Sequence, residues 1–242
     1  MMRRVSAQTA QRSRRGPAAD WPRRRIRLYS KAMKLYIIRH GQSKDNAEAI
    51  QAGDRGLTEL GVHQAQATAE ALADIPIDTL YVSPTRRTLE TAGILSKALR
   101  LTPIVRSDIC ERNWLYDDPG LSGREMAQLC PGLRVGPEFA PDSGWARERN
   151  EESGDELYQR AQRVLRSLRA EYPNGSGTVA LVTHAHFSGY LISVALGFSR
   201  RQVETNWLRM YNCGISHLEF RDHATMMWYL NAHSHIGVPI SA

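Results

Sequence analysis

The sequence predicts an α/β fold, a three-layer sandwich in which a mostly parallel central sheet is flanked by helices. One observation is that short β-branched and aromatic runs, of which Leu35–Ile38 is the first, alternate with longer amphipathic helical stripes. The second is that several apolar runs end in a charged or titratable residue, as Leu35–Ile38 does at Arg39. Ligands of open α/β sheets bind outside the carboxyl ends of the strands, so these ends are the expected site.

The positive charge of the chain is concentrated at its beginning. The net charge is +7 over 242 residues. Residues 1–33 contain ten Arg and Lys and one acid, Asp20, for a charge of +9, so residues 34–242 carry the difference, −2. The basic character therefore gives no reason to expect that the folded part binds nucleic acid. Since no apolar run approaches the roughly 18 residues that span a bilayer, we expect no membrane contact.

Two features bear on the compartment. Residues 1–33 are Arg-rich without a helical apolar stripe, and this extension is expected to be disordered. Three interpretations of it stay open: an upstream extension with the working protein starting at Met33, an organelle transit peptide, or a nucleic-acid arm. The three cysteines are scattered and lack metal-ligand spacing, which fits free thiols in a reducing compartment. We therefore expect a cytoplasmic protein, or an organellar one if the extension is a transit peptide.

The end of the first predicted strand carries residue types suited to phosphate chemistry. Arg39 offers a planar guanidinium that matches phosphate oxygens, and neutral His40 offers a nitrogen lone pair, hence a nucleophile toward phosphorus. Gly41 lets another backbone or a ligand approach closely. Asn46 is near enough in sequence to return an amide donor to the same place.

The Arg39-His40-Gly41 run resembles the signature of the histidine phosphatase superfamily, the phosphoglycerate mutase-like enzymes. The stretch Leu57–Ala65 is similar to a second motif of that family, Leu-Thr-x-x-Gly-x-x-Gln-Ala, in which Thr58 is expected to cap a helix. The resemblance covers about residues 34–235. It implies a phosphoglycerate mutase-like fold and chemistry on phosphate esters.

A third matching motif follows the predicted strand Thr79–Val82. The run Ser83–Ala92 is similar to the family's Ser-Pro-x-x-Arg-x-x-x-Thr-Ala, and the matching cation is Arg87 rather than Arg86. A helix is predicted for residues 85–99, and its N-terminus adds positive potential toward an anion. The resemblance implies that Arg87 binds the phosphate.

The acid and the second histidine of the family have counterparts further along the chain. The family places an acid just past a strand, and the corresponding strand is predicted here at Pro103–Val105. Glu111 is the residue that matches this acid, and Asp108 is the rival candidate. His184 follows the next apolar run, but Ala185-His186 stand where the family usually continues with Gly. A His-x-His pair can bind metal, yet no Cys, Asp or Glu lies at the usual spacings, so phosphate contact by His184 is favoured.

The remaining elements complete the sandwich. Residues 115–154 are rich in Gly, Pro and charged residues, and we interpret them as an inserted cap with one short helix at 122–130. We expect this cap to determine substrate choice. Ser153 is expected to cap an amphipathic helix that runs to about residue 171. The other expected elements are a buried strand, a helix and two edge strands, at Thr178–Thr183, 187–197, Gly214–Phe220 and Thr225–Leu230.

The combined pattern predicts a metal-independent phosphomonoesterase that works through a covalent phosphohistidine. The resemblance assigns nucleophile, acid–base and phosphate-binding roles to His40, Glu111, His184, Arg39, Asn46 and Arg87. Three potential cations, Arg39, Arg87 and His184, would surround the phosphate, so neither a metal nor a cofactor is expected. The alternatives are a phosphoglycerate mutase and a catalytically silent phospho-ligand-binding module. The expected partner is a phosphorylated small molecule, without nucleic acid or membrane, and the chain could form a homodimer.

Overall fold

The computed structural model describes residues 31–49, 53–112, 118–146, 151–237 and 241. The predicted α/β sandwich is confirmed: one six-stranded mixed sheet has helices packed on both faces. The strands are β1 Met33–Arg39, β2 Thr79–Val82, β3 Ile104–Val105, β4 Gly177–Thr183, β5 Ile215–Arg221 and β6 Ala224–Ala232.

The sheet order is β3-β2-β4-β1-β5-β6. The strands β1 to β4 run parallel, β5 pairs antiparallel with β1, and β6 pairs antiparallel with β5. At the carboxyl ends of the parallel strands, Arg39 lies opposite Thr183 and Val82 lies opposite Val182. This register brings the residues that follow β1, β2 and β4 to one edge of the sheet, where ligands of such sheets bind.

Seven helices are defined in the described residues: α1 Lys44–Glu48, α2 Glu59–Leu72, α3 Arg86–Leu99, α4 Gly123–Leu129, α5 Gly154–Glu171, α6 Ala185–Ala195 and α7 Arg200–Thr205. The predicted caps are present. The Thr58 side chain accepts a hydrogen bond from the Gly61 N–H, and Ser153 forms a capping box with Glu156. A cap of this kind stabilises a helix by about 1 kcal/mol, so these side chains fix where α2 and α5 begin.

Alternate residues of β1 point into two separate cores. Leu35 and Ile37 pack with helices α5, α6 and α7 on one face, whereas Ile38 packs with α2 and α3 on the other. Each fully buried leucine or isoleucine contributes about 2 kcal/mol of hydrophobic stabilisation. Because both faces of β1 are buried, the strand is held rigidly and its last residues are placed with precision.

One strand prediction is wrong. Gly214–Phe220 was expected to be an edge strand, but β5 lies between β1 and β6, and six of its seven residues are buried. Several of its polar residues, which suggest an exposed edge, have hydrogen-bond partners within the sheet instead. Glu219 accepts hydrogen bonds from Arg221 and Trp228, and the Ser216 hydroxyl accepts one from the Asn231 N–H. Only β6 of this pair is at the edge.

Other boundaries shift by one or two residues. Strand β1 begins at Met33, so it includes the last residue assigned to the extension, and α6 begins at Ala185, directly after His184. In the predicted cap, α4 lies within 122–130 as expected. The extension up to residue 30, residues 113 and 114, and residues 115–117 and 147–150 of the cap lie outside the described residues. Among the described helices, none is both long and apolar enough to cross a membrane.

Candidate active site

His40 lies immediately beyond β1 and is almost completely buried, with 3% of its surface exposed. Its Nδ1–H donates to the Gly41 carbonyl oxygen at 2.7 Å, and its own carbonyl oxygen accepts from Asn212 Nδ2 at 3.0 Å. The ring and the backbone are therefore both fixed. With the proton on Nδ1, the lone pair of Nε2 is left to face the site.

Gly41 allows His40 to take this position, because the backbone of Gly61 occupies the space that a side chain at residue 41 would need. A Cβ at Gly41 would lie 2.4 Å from the Gly61 carbonyl oxygen, closer than real Cβ atoms approach a neighbour. The Gly41 N–H donates to Thr91 Oγ1 at 3.1 Å. The first motif of the sequence is thus packed directly against the second and third.

Arg87 extends from the first turn of α3 to His40. Its Nε–H donates to His40 Nε2 at 3.1 Å. An arginine N–H can only donate, so this contact requires an unprotonated Nε2 and agrees with the Nδ1–H tautomer. Burial and the charges of Arg87 and Arg39 lower the pKa of His40 well below its usual range. The imidazole is consequently neutral and nucleophilic at neutral pH.

Two aspartates that the sequence motifs do not include surround Arg87. Asp54 Oδ1 lies 3.8 Å and Asp45 Oδ2 lies 4.0 Å from Arg87 Nη1. The other oxygen of Asp54 accepts from the Arg86 N–H at 2.6 Å, so this side chain caps α3 from a distant loop. Burial raises the pKa of Asp54 to about 7, against the opposing effect of the Arg86 N–H and of Arg87. No periodicity or motif in the sequence signals this contact.

His184 follows β4 and lies beside His40, with the ring centroids 5.2 Å apart. Its Nε2 lies 2.8 Å from Ser83 Oγ, and its Nδ1 lies 3.5 Å from Arg87 Nη2. Burial, followed by the charge of Arg87, lowers the pKa of His184 well below its usual range. The guanidiniums of Arg39 and Arg87 are therefore the positive charges beside His40, and a cationic role for His184 toward a phosphate stays a prediction.

Arg39, the last residue of β1, lies on the side of the site that faces α6. Its Nη1–H donates to the Met210 carbonyl oxygen at 2.6 Å. Burial lowers its pKa to about 10, with the charge of Glu111 opposing that shift, so the guanidinium stays charged at neutral pH. Asn46 is held nearby, because its Oδ1 accepts from Asn212 Nδ2 at 3.2 Å and from the Ser43 N–H at 3.3 Å. Its amide nitrogen is the group left to donate to a ligand.

Glu111 is held against the first turn of α6. Its carboxylate accepts from the backbone N–H groups of His186 and Phe187, each at 3.1 Å, and from that of Arg112 at 2.9 Å. This helix N-terminus directly follows His184, so the carboxylate is brought to the second histidine. The rival acid, Asp108, is instead paired with Arg106 through contacts of 3.0 and 2.7 Å and has a partly exposed side chain.

A buried arginine that the sequence motifs do not include holds the segment before Glu111. Arg160, on α5, donates from Nη1 to the carbonyl oxygens of Asp108 and Cys110, each at 2.9 Å. Its Nε and Nη2 donate to the two carboxylate oxygens of Glu152 at 2.7 and 2.6 Å. Its guanidinium also covers the Phe187 ring at 4.8 Å. Arg160 therefore joins α5, α6 and the acid-bearing loop.

The structure separates the two histidines of the His-x-His pair. His184 is buried against Ser83 and Arg87, whereas His186 is half exposed and packs edge-on against Trp207. In the described part of the chain, no three His, Cys, Asp or Glu side chains are grouped so that they could hold a metal ion. The site brings together the buried imidazoles of His40 and His184, the guanidiniums of Arg39 and Arg87, and the Glu111 carboxylate.

The comparisons with known proteins agree with this geometry. A family profile of the histidine phosphatase superfamily (branch 1) matches residues 35–233. The probable phosphoglycerate mutase GpmB of Yersinia pestis (strain Pestoides F) is 30% identical over 193 residues, which cover 78% of this chain and 86% of that protein.

Solved structures show the same arrangement of the chain. A mycobacterial glucosyl-3-phosphoglycerate phosphatase superposes with a TM-score of 0.61 at 25% identity and covers 84% of this chain and 100% of its own. A phosphoserine phosphatase from Entamoeba histolytica, 21% identical, superposes with a TM-score of 0.60 over 84% of this chain and 98% of its own. At this lower identity the second likeness concerns the fold alone.

Proposed function

The chain belongs to the histidine phosphatase superfamily, and we propose that it is a metal-independent phosphomonoesterase that works through a phosphohistidine at His40. The observation that carries this proposal is the contact of Arg87 Nε with His40 Nε2, because it marks a neutral nucleophilic nitrogen already facing a cation. The 25% identical mycobacterial protein, which is named as a phosphatase, supports hydrolysis as the reaction.

In the first step, the phosphate of the substrate enters between the two arginines. Its oxygens replace His40 as the acceptor for Arg87, which frees the Nε2 lone pair. His40 Nε2 then forms a bond to phosphorus while the ester P–O bond breaks. Arg39, Arg87 and the Asn46 amide stabilise the negative charge on the equatorial oxygens, where phosphoryl transfer concentrates it.

Glu111 supplies the proton that the departing oxygen requires. In the ligand-free site its carboxylate accepts three backbone hydrogen bonds. In the proposed step Glu111 acts as the general acid and gives its proton to the departing oxygen as the ester P–O bond breaks. After the alcohol leaves, the same carboxylate takes a proton from water as water attacks phosphorus. The N–P bond breaks, and His40 regains its lone pair.

Labelling with a rapid alkaline quench in detergent tests this proposal directly. Purified protein given a ³²P-labelled alkyl phosphate should form an acid-labile, base-stable adduct at His40 and release inorganic phosphate in the presence of EDTA. Loss of turnover in EDTA that zinc or magnesium restores would contradict the metal-independent step. Phosphate release without any trapped adduct, in a quench fast enough to catch a single turnover, would contradict the covalent intermediate.

Phosphoglycerate mutase is the second candidate function. It is favoured by the 30% identical relatives and by Arg112, whose Nε donates to the Glu152 carbonyl oxygen beside Glu111. A mutase must protect its phosphohistidine from water until the phosphoryl group returns to a second hydroxyl. The exposed His186, which lies beside Glu111 and packs against the exposed Trp207, supports hydrolysis instead.

Incubation with 3-phosphoglycerate and a bisphosphoglycerate primer distinguishes the two. We expect inorganic phosphate or no product. Accumulation of 2-phosphoglycerate without release of phosphate would make the protein a mutase.

A further inference from the structure

A cavity lies beside the candidate active site and takes no part in the steps above. It is enclosed by α6, α7 and residues 206–210 and has a volume of about 400 Å³, within the range of small-molecule sites. Most of its wall is apolar. Ala185 and Tyr190 come from α6, Val203 from α7, and Leu208 and Met210 from the segment before β5.

The cavity begins at residues of the reaction centre itself. Arg39 lines it, and so does His186, whose Nδ1 lies 3.8 Å from Glu111 Oε2. In the proposed mechanism the leaving oxygen faces Glu111 to receive its proton. The carbon skeleton attached to that oxygen therefore extends from Glu111 toward His186 and into the cavity.

The mouth of the cavity is aromatic. Trp207 lines it with 63% of its surface exposed, and its ring packs edge-on against His186 with the centroids 5.1 Å apart. An indole and an imidazole at the entrance of an apolar cavity offer faces and edges against which a planar ring packs. A small polar ester has no group to cover them.

Two polar atoms in the residues of the wall have no hydrogen-bond partner among the described residues. They are Arg39 Nε and Ser193 Oγ, both in side chains that are more than nine-tenths buried. Buried polar groups are normally paired, so each is an exception that a ligand would explain. Both residues line the cavity, so an oxygen substituent on a ligand bound there would be a partner for the Arg39 N–H or the Ser193 hydroxyl.

We propose that this cavity binds the leaving-group part of the substrate. The substrate is then a phosphomonoester of an alcohol that bears a planar, largely apolar ring with at least one oxygen substituent. This inference rests on the proposed function, since it locates the leaving group from the role given to Glu111. It names the substrate class of the same site.

Two esters separate binding in the cavity from chemistry at phosphorus. One is 2-(4-hydroxyphenyl)ethyl phosphate and the other is ethyl phosphate. Both release a primary alkoxide that needs a proton, so the demand on Glu111 is similar. We expect kcat/KM for the ring-bearing ester to exceed that for ethyl phosphate by about tenfold or more, because only that ester buries a ring on binding.

Variants of the wall test where the ring is bound. Trp207→Ala removes the aromatic mouth. Gly189→Leu fills the space from α6, where an added Cβ would lie at an ordinary 3.6 Å from the Leu208 carbonyl oxygen. Either change should reduce the ratio of the two kcat/KM values to about threefold or less. Gly189→Ala and Trp228→Ala, the latter an exposed tryptophan on β6, should keep the ratio.

The failures of the two proposals can be told apart. Equal turnover of both esters by the wild-type protein, or a ratio that survives both Trp207→Ala and Gly189→Leu, would overturn the inference and leave the phosphatase standing. Release of phosphate from neither ester, without a phosphohistidine, would overturn the phosphatase and the inference with it.

Discussion

On the phosphate side of the site, formed by Arg39, His40, Arg87 and His184, no residue is more than 8% exposed. On the leaving-group side, formed by His186, Trp207 and the cavity behind them, His186 is half exposed and Trp207 is 63% exposed. The phosphate side is also closely cross-linked by hydrogen bonds, whereas the leaving-group side is mainly apolar. The side to which we assign the chemistry is buried and held by hydrogen bonds, and the side to which we assign selection of the alcohol is more exposed.

This contrast makes sense physically. Charges aimed at a phosphate stabilise a transition state only if they are already oriented, which requires burial and fixed partners. Selection of an alcohol requires shape and apolar area, which a loop such as 206–210 can change without disturbing the sheet. Predictions that separate the two sides follow, from the largest expected effect to the smallest.

Removal of the nucleophile should abolish activity on every ester. For His40→Ala we expect turnover to fall by about 10⁴-fold or more, because no neighbouring side chain can replace the lone pair of Nε2. The measurement is kcat on both the ring-bearing and the ring-free ester, together with the melting temperature. His63→Ala, an exposed histidine on α2, is the matched control. Appreciable turnover in a folded His40→Ala protein would show that the nucleophile is elsewhere.

Glu111→Gln should discriminate between leaving groups. An alkoxide needs a proton as it departs, whereas p-nitrophenolate does not, so we expect a loss of about 10²- to 10⁴-fold on alkyl phosphates. The loss on p-nitrophenyl phosphate in the first turnover should be much smaller. Pre-steady-state release of the alcohol measures this step. If Asp108→Asn has the larger effect, Asp108 rather than Glu111 is the acid.

Arg160 is expected to act as a positioning residue for Glu111. Arg160→Met removes the hydrogen bonds to the carbonyl oxygens of residues 108 and 110, so we expect about a tenfold loss of kcat on alkyl phosphates. The diagnostic is that p-nitrophenyl phosphate should be affected less, as for Glu111→Gln. Arg163→Met, an exposed position of the same helix, is the control. An equal loss on both substrates would indicate a general structural role.

The buried histidines should make stability depend on pH. The pKa of His184 is lower in the folded protein than its ordinary value of 6.5, so the unfolded chain binds more protons as the pH falls below about 6.5. His184 therefore removes about 1 kcal/mol of stability between pH 7 and pH 5.5. Asp54, whose pKa is raised, adds stability as the pH falls over the same range. Its effect is present in the wild-type protein and in a His184 variant alike, so it cancels when the two are compared.

Urea unfolding at the two pH values measures this effect. The free energy of unfolding of His184→Asn should fall less on acidification than that of the wild-type protein, by about 1 kcal/mol. The exposed His63→Asn variant should match the wild-type protein. If the pH dependence of His184→Asn is unchanged, His184 is not held neutral in the folded state.

The sequence by itself determined the elements and the order of the candidate site residues. Apolar periodicity locates the strands and helices because burial on a sheet or helix face is a local, repeating constraint. Arg39, His40, Arg87, Glu111 and His184 could be found because each lies at or just after the end of such an element. The same reasoning failed at β5, where polar side chains are paired inside the sheet and so mimic an exposed edge.

Only the tertiary structure decided which groups meet. Arg39 is bonded to a carbonyl 171 residues away, and Asn212 to the His40 carbonyl 172 residues away. Asp54, Arg160 and the walls of the cavity likewise come from segments without a motif, and their contacts have no repeat that a sequence could display. The tautomer of His40 and the neutrality of His184 follow from burial beside Arg87. They are properties of an assembled, low-dielectric environment, which does not exist until distant parts of the chain pack together.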